Sequence, residues 1–442
     1  MALSLFPSAP GSRALIALTI WSLVAPSTFA FKKKNPPPEA PRIRATLPPS
    51  FSIPAEPLGF APPGDFYLGM RNALVSLDFL DEDHLLFTFR VPALIHREAS
   101  ASDNHDERRI RAVVLRIATG AVEAETIWSV HDHAHYLYML DHGQFLIRDR
   151  DSLLLGDPSL QLKPFLNFPG PVLWVELDPT RQYLVVGSTE PRPPKVEAGE
   201  VPSPSTAAAR IDRDQPSTGD DSEMVLRILR RNDGHVMLVS HVHGAVHLPI
   251  NDEGYLESLR GRGTAWALNL NHFTGGSTIL GNIDSVCSPQ LDFISPTEFL
   301  ITTCGSSGEP RLVAMSTSGN RLWEGASVGP SVWPLLVPAP DGSRIARETL
   351  MATHSVNASS PLGTDDIKGQ DVQILDAASG KVVLRAAASP VLDAGGNVAI
   401  SPSARRVAVL MDGAIQIFDL PSPPPIPDAA TQAGRTAQIP DR

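Results

Sequence analysis

A histidine-rich segment, HDHAH, has the spacing in this sequence that most directly suggests chemistry. It places His131, His133 and His135 at alternate positions. Alternate side chains of a β-strand share a face, so the three imidazoles can converge on one divalent metal such as zinc. The alternative is that each histidine is a polar residue of a strand edge or loop. These residues are the candidate metal ligands, and no other cofactor is predicted.

A second segment, HVHGAVH, spans residues 241–247 and repeats the same alternation. The two segments precede different strands, far apart in the chain. A zinc–imidazole bond is only about 2 Å long. We therefore expect separate weak sites or none, and at most substoichiometric metal in the purified protein.

The sequence contains two cysteines, Cys287 and Cys304. They flank two apolar runs, LDFI and FLIT, that are joined by a turn with the sequence SPTE, so a hairpin would bring the two thiols together. A disulfide is the favoured interpretation for an exported protein. Two buried free thiols are the alternative.

The usual catalytic motifs are absent from the sequence: GxSxG, the phosphate-binding P-loop, HExxH and CxxC. No spacing of serine, histidine and acidic residues indicates a nucleophile with its base. Several aspartates stand beside predicted tight turns, where they are expected to form the turn rather than to act in catalysis. They are Asp81, Asp83, Asp132, Asp141 and Asp178. The sequence therefore favours a non-enzymatic role.

The elements that position these residues are clearest in residues 371–420. Short β-rich runs alternate there with two kinds of turn, an outer turn with the sequence ASG and an inner turn with the sequence SPSA. The glycine of ASG is typical of a hairpin turn. In SPSA, Pro fixes φ and Ser bonds to its own backbone, which suits a tight reversal. Strand, turn, strand, turn, strand, turn and strand make a four-stranded antiparallel sheet.

The inner turn recurs about seven times, usually followed by an apolar run such as HLLFTF, QYLVV or RVAVL. Its occurrences are 80–84, 140–143, 177–180, 251–254, 294–297, 339–342 and 400–403. The spacing suits one β-propeller blade with insertions. We therefore predict an all-β fold, a β-propeller of seven four-stranded blades, with a pair of β-sandwiches as the alternative.

Two outer turns carry a family resemblance. ILDAASGK (374–381) and MSTSGNRLW (315–323) resemble the outer turns of WD40-like and PQQ-like, or quinoprotein-type, propeller repeats. Trp128 and Trp323 stand where a quinoprotein repeat closes with Trp. The resemblance covers most of the chain from about residue 74 and implies the propeller architecture.

The last predicted blade lacks one strand. It offers strands at Val398, Val407 and Ile415 and then ends at Pro421. We expect the missing outer strand to come from residues 51–70, because closure of the ring removes exposed strand edges.

The N-terminus has the pattern of a secretory signal. Arg13 precedes a short apolar core, and small residues allow cleavage after Ala30. The alternative is an uncleaved anchor. The predicted organisation is a signal peptide (1–30), a Pro/Lys-rich linker (31–50), one propeller domain (51–420) with disordered loops near 97–109 and 191–223, and a disordered tail (421–442).

Composition limits the function further. The formal net charge of −11 argues against a nucleic-acid-binding surface, and no segment after the signal is apolar enough to span a bilayer. The sequence favours a secreted, periplasmic or cell-envelope module that binds a protein or a small molecule at a propeller face. The alternatives are a structural part of an envelope assembly and a propeller enzyme, either a hydrolase or lyase or a quinoprotein-like oxidoreductase, with its site in the central channel.

Overall fold

The computed structural model describes residues 43–62, 74–91, 107–131, 135–191, 222–242, 247–306, 310–326, 334–353, 366–392 and 395–422. In these ranges the strands form seven antiparallel sheets, and a 3-10 turn spans Glu56–Leu58. The sheets are the blades of a β-propeller, which confirms the predicted fold class.

The first three blades have four strands each. Blade 1 consists of β2 (Ser76–Phe79), β3 (His84–Arg90), β4 (Arg108–Arg116) and β5 (Ala121–Val130). Blade 2 consists of β6 (Leu137–Met139), β7 (Phe145–Asp149), β8 (Ser152–Gly156) and β9 (Leu162–Asn167). Blade 3 consists of β10 (Val172–Leu177), β11 (Tyr183–Pro191), β12 (Ser222–Arg230) and β13 (Val236–Val242).

Blades 5, 6 and 7 repeat this arrangement. Blade 5 consists of β17 (Gln290–Ser295), β18 (Glu298–Cys304), β19 (Pro310–Ser316) and β20 (Arg321–Ala326). Blade 6 consists of β21 (Leu335–Pro338), β22 (Arg344–Ala352), β23 (Ile367–Asp376) and β24 (Val382–Ala388). Blade 7 consists of β25 (Val398–Ile400), β26 (Arg406–Met411), β27 (Ala414–Asp419) and β1 (Phe51–Pro54).

Blade 4 is less regular. Its ladder contains β14 (Gly254–Arg260), β15 (Ala265–His272) and β16 (Ser277–Asp284). The segment at its inner edge joins through a single bridge between Ile250 and Tyr255. Pro249 lacks an N–H and cannot donate to a ladder, which explains the weak pairing there.

The core consists of apolar clusters between successive blades rather than one central core. In β3, Leu85 and Phe87 pack towards blade 7, whereas Leu86 between them packs towards blade 2. All three side chains are fully buried. Because both faces of a blade are covered, the middle strands are nearly continuous apolar runs, as the sequence showed.

The inner turns lie where the sequence placed them. The Asp81 carboxylate accepts hydrogen bonds from the backbone N–H groups of Asp83 (2.8 Å) and His84 (2.9 Å). The Asp178 carboxylate accepts from those of Thr180 (2.8 Å) and Tyr183 (2.7 Å). Both aspartates are therefore turn residues, as predicted.

The ring closes through the N-terminal strand. β1 pairs antiparallel with β27, with Ile53 opposite Ile415 and Phe51 opposite Ile417. Ile53 is buried in the cluster between blades 7 and 1. The predicted closure by a strand from residues 51–70 is confirmed.

Some predicted segments fall on residues that the structure does not describe. The signal peptide (1–30) lies outside the described ranges, as do most of the predicted disordered loops (97–109 and 191–223) and residues 423–442 of the tail. At the loop edges, residues 108–109, 191 and 222–223 belong to strands, because β4, β11 and β12 continue their ladders beyond the apolar runs. The described ranges contain no helix of the length and apolarity needed to cross a bilayer.

Candidate binding site in the central channel

The inner strands of the blades surround a cavity of about 490 Å³ in the central channel. Every blade contributes to its wall, and most of the lining surface is apolar. Polar side chains interrupt this apolar wall at a few points. They include Asp78 from blade 1, Glu176 and Arg181 from blade 3, His247 from blade 4 and Asp292 from blade 5.

His247 connects the inner edges of three consecutive blades. Its Nδ1 lies 2.6 Å from Oε1 of Glu176 on β10. Its Nε2 lies 2.6 Å from the backbone oxygen of Leu291 and 3.1 Å from Oδ1 of Asp292, both on β17. Since the inner segment of blade 4 has almost no ladder of its own, these side-chain contacts hold it against its neighbours.

The geometry sets the protonation state of His247. A carbonyl oxygen can only accept, so Nε2 must carry a proton, and Nδ1 faces a carboxylate. Burial opposes the charged form, but the carboxylates of Glu176 and Asp292 outweigh it and raise the pKa of His247 to about 11. The side chain is therefore an imidazolium at neutral pH, and neither nitrogen can bind a metal or accept a proton.

Asp78 lies in a different environment within the same cavity. Its carboxylate accepts a hydrogen bond from the Ser76 hydroxyl (2.6 Å). No Arg, Lys or His side chain within the described ranges forms an ion pair with it. Burial raises the pKa of Asp78 to about 6, although the hydrogen bond from Ser76 lowers it. Among the described residues, Asp78 is thus a channel carboxylate without a cationic partner.

Arg181 occupies the turn that follows β10. Burial lowers its pKa, and the negative charges of Asp178 and Asp141 act in the opposite direction. Its Nη1 donates to the backbone oxygen of Asp178 at 3.3 Å. Arg181 is thus engaged with its own turn.

Trp174 forms part of the cavity wall beside Glu176. It lies opposite Gly187 in the β10–β11 ladder. A Cβ atom added at Gly187 would lie 2.2 Å from the indole ring, so glycine is required at this position for the ring to pack against the strand. This pair sets the shape of the cavity on the blade 3 side.

The predicted metal ligands do not form a site among the described residues. His131 lies beside Asp149, with Nδ1 3.0 Å from Oδ1. His135 lines the channel cavity and packs edge-on against Tyr138, with ring centroids 4.7 Å apart. His133 lies outside the described ranges, and within them no group of three potential ligands is close enough to hold a metal. The metal site stays a prediction.

Two histidines of the second segment have different surroundings. His241 lies on the surface of blade 3, with Nδ1 2.9 Å from Oε1 of Glu223, whereas His247 lines the channel. His243 lies outside the described ranges. The described histidines of this segment are therefore not gathered in one place.

Cys287 and Cys304 form a disulfide, with their Cα atoms 5.6 Å apart. It connects the segment that enters blade 5 to the end of β18, as the hairpin argument indicated. The backbone N–H of Cys304 also donates to the Ser285 hydroxyl at 3.0 Å. The disulfide lies apart from the residues that line the channel cavity.

Sequence reasoning missed the polar residues of the channel. His247 lies 71 residues from Glu176 in the chain, and Asp78 stands in an ordinary alternating strand. The one available signal was a charged residue inside a predicted inner strand, since Asp78, Glu176 and Asp292 all have that position.

No protein-family model matches this sequence, and no curated protein matches it significantly. Solved structures match at the level of the fold. The acylaminoacyl peptidase of Pyrococcus horikoshii aligns with a TM-score of 0.48 and 10% identity, over 81% of this chain and 54% of the peptidase. The match thus spans about half the length of that enzyme.

Two propeller domains are also similar in architecture. The WD40 domain of Toxoplasma gondii coronin aligns with a TM-score of 0.46 and 10% identity over 87% of each chain. The β-propeller domain of the trilobed protease from Pyrococcus furiosus aligns with a TM-score of 0.43 and 9% identity, over 79% of this chain and 94% of that domain. These similarities concern the fold and do not bear on function.

Proposed function

We propose that this protein is an exported β-propeller that binds a small molecule in its central channel. The observation that carries the proposal is the cavity of about 490 Å³, which is lined by all seven blades, mostly by apolar surface, and holds a few polar groups. Cavities of this size and composition are typical of small-molecule sites. Of the two predicted partner classes, a protein or a small molecule, this proposal selects the small molecule.

The state of His247 favours binding over catalysis. An imidazole whose two nitrogens both face acceptors cannot act as a general base or as a metal ligand. Glu176 and Asp292 balance its charge, which leaves Asp78 as the one channel carboxylate without a cationic partner within the described ranges. The arrangement is a mostly apolar cavity whose Asp78 carboxylate has no cationic partner among the described residues.

A channel enzyme is the second candidate, and Asp78 is the observation that favours it. A buried carboxyl group with a pKa near 6 is suited to general acid catalysis. A hydrolase or lyase that works through a pair of channel carboxylates would need a second one free to act, whereas Glu176 and Asp292 are both held by His247. Binding is therefore the better supported function.

The proposal is tested with two neutral probes, cyclohexanol and 2-naphthol, by saturation-transfer NMR. We expect signals with the wild-type protein and their loss in Leu335→Trp, because Leu335 lines the cavity and is 41% exposed. Leu259→Trp is the matched control, since Leu259 is 42% exposed and does not line the cavity. Absence of signals with the wild-type protein, or equal signals in both variants, would contradict the proposal.

Export is the second part of the proposal. The signal pattern of residues 1–30 supports it, and so does the disulfide, because disulfides persist in oxidising compartments. Intact-mass analysis of protein from the cell-envelope fraction should give a chain that begins at Phe31. Recovery of the chain beginning at Met1 from the cytoplasm would overturn this part.

A further inference from the structure

We infer that the molecule bound in the channel is a monocationic amine with a compact hydrocarbon body, and that Asp78 is the residue that recognises its charge. This inference rests on the proposed function and specifies its ligand class. It follows from the partners of the charged groups in the cavity wall, together with the mostly apolar surface of the cavity.

The two cations of the channel wall lie beside carboxylates. His247 is held between Glu176 and Asp292, and its nitrogens have no free position. Arg181 donates to the backbone of Asp178 and lies in the field of Asp178 and Asp141. His247 is therefore closed to an anionic ligand, and nearby carboxylates already offset the charge of Arg181.

Asp78 is different, because its described polar partner is the Ser76 hydroxyl. A partly buried carboxylate without a cation is unfavourable, and a ligand cation would relieve that cost. A charge-assisted hydrogen bond from an ammonium group to this carboxylate is the natural interaction.

The rest of the wall limits what can carry the charge. Tyr138 from blade 2 and Leu336 and Val398 from the blades on the other side of blade 1 line the same cavity. An aromatic ring attracts a cation, and the aliphatic side chains favour a hydrocarbon body. The other two carboxylates of the wall, Glu176 and Asp292, are held by His247, so a second positive charge would find no open carboxylate among the described residues, and a monocation fits best.

A divalent metal fits less well. It would need several oxygen ligands, but Glu176 and Asp292 are bound to His247, and the described residues contain no group of three that could hold a metal. A single carboxylate suits an amine and not a metal ion.

The test compares three probes of similar shape: cyclohexylamine, cyclohexanol and cyclohexanecarboxylate. Binding to the full chain is measured by isothermal titration calorimetry at pH 7.5. We expect the amine to bind at least about tenfold more tightly than the alcohol, in line with the strength of a hydrogen bond to a charged group. The carboxylate should bind more weakly than both.

Asp78→Asn should remove the preference, so that amine and alcohol bind within about threefold of each other. Asp81→Asn is the matched control, because Asp81 lies in the adjacent turn, is 61% exposed in its side chain and does not line the cavity. It should keep the wild-type preference. If circular dichroism shows that Asp78→Asn is misfolded, the order of the three probes on the wild-type protein still decides the question.

The outcomes separate this inference from the proposed function. Equal binding of all three probes, or tighter binding of the carboxylate, would overturn the amine assignment and leave channel binding in place. Loss of the preference in Asp81→Asn as well would remove Asp78 as the recognising residue. No binding of any probe would overturn both the ligand class and the proposed function.

Discussion

His247 shows how one side chain can replace missing backbone pairing. The inner segment of blade 4 has one β-bridge, and the imidazolium supplies contacts to blades 3 and 5. Nearby carboxylates keep the charged form present at neutral pH, so the contact is constant in ordinary conditions and is not a pH switch between pH 5 and 8.

Replacement of His247 by Gln should therefore lower the melting temperature. The folded-state pKa, about 11, is raised above the ordinary 6.5, so the charged contact is fully present below pH 6.5 and is lost as the pH rises through 11. The stability difference between wild type and variant should shrink between pH 7 and 10, measured by urea unfolding. His235→Gln, in an exposed turn of blade 3, is the control and should match the wild type. A difference that grows with pH would contradict the account.

Glu348 is a second residue whose environment sets its charge. It is 3% exposed, and Oε2 accepts a hydrogen bond from Gln370 at 2.8 Å. Oε1 is buried with no hydrogen-bond partner among the described residues. Burial raises the pKa of Glu348 to about 8, although the bond from Gln370 lowers it, so the side chain is largely protonated at pH 7.

The Glu348→Gln variant tests this state. The pKa of Glu348 is higher in the folded state, about 8, than its ordinary value of 4.5. Its contribution to the free energy of unfolding is therefore fully present below pH 4.5 and is lost as the pH rises through 8. The variant should match the wild type at pH 5 and be more stable at pH 9, by on the order of a few kcal/mol. Glu324→Gln, at an exposed ion pair, should show no such trend. A constant difference at both pH values would refute a protonated Glu348.

At the scale of elements, β1 is the strand that completes blade 7. Its residues alternate, with Ile53 buried between blades 7 and 1 and Ser52 exposed. Ile53→Asp places a charge in that cluster and should lower the free energy of unfolding by on the order of 3 kcal/mol. Ser52→Asp, one position away on the other face, should change it little. Equal effects in urea unfolding would show that β1 is not a closing strand.

The facing pair Trp174 and Gly187 gives a second prediction at this scale. Gly187→Ala introduces a Cβ atom 2.2 Å from the indole ring and should destabilise the protein by about 1–3 kcal/mol. Trp174→Leu in the same background should recover part of that loss, because the smaller side chain leaves room. Thermal unfolding of the two variants checks this, and an Ala variant as stable as the wild type would contradict the packing.

The inner turns and the closing strand could be predicted because their signals are local. Asp81 and Asp178 accept hydrogen bonds from backbone groups two to five residues away, so each inner turn is determined by a short stretch of sequence. The missing strand of blade 7 followed from a count of strands before Pro421. The sequence did not predict the irregular inner edge of blade 4. Its turn resembles those of the other blades, and only Pro249 distinguishes the strand that precedes it.

At the scale of the whole molecule, the channel site could not be predicted in the same way. His247, Glu176 and Asp292 come from three blades, and their contacts depend on how the blades pack against each other. The histidines that alternate in sequence, by contrast, suggested a metal site, because alternation was the visible signal. In the structure His131 is paired with Asp149, and the metal site stays a prediction because His133 lies outside the described ranges.

The ring as a whole is what makes the cavity, since each blade contributes to the wall. The central claim is that a small molecule binds inside this ring. Its most direct test is a crystal structure with 4-bromobenzylamine, in which the anomalous signal of bromine locates the probe. We predict a bromine peak in the central channel, with the ammonium group at Asp78. A probe bound at another surface, with an empty channel at saturating concentration, would contradict the account.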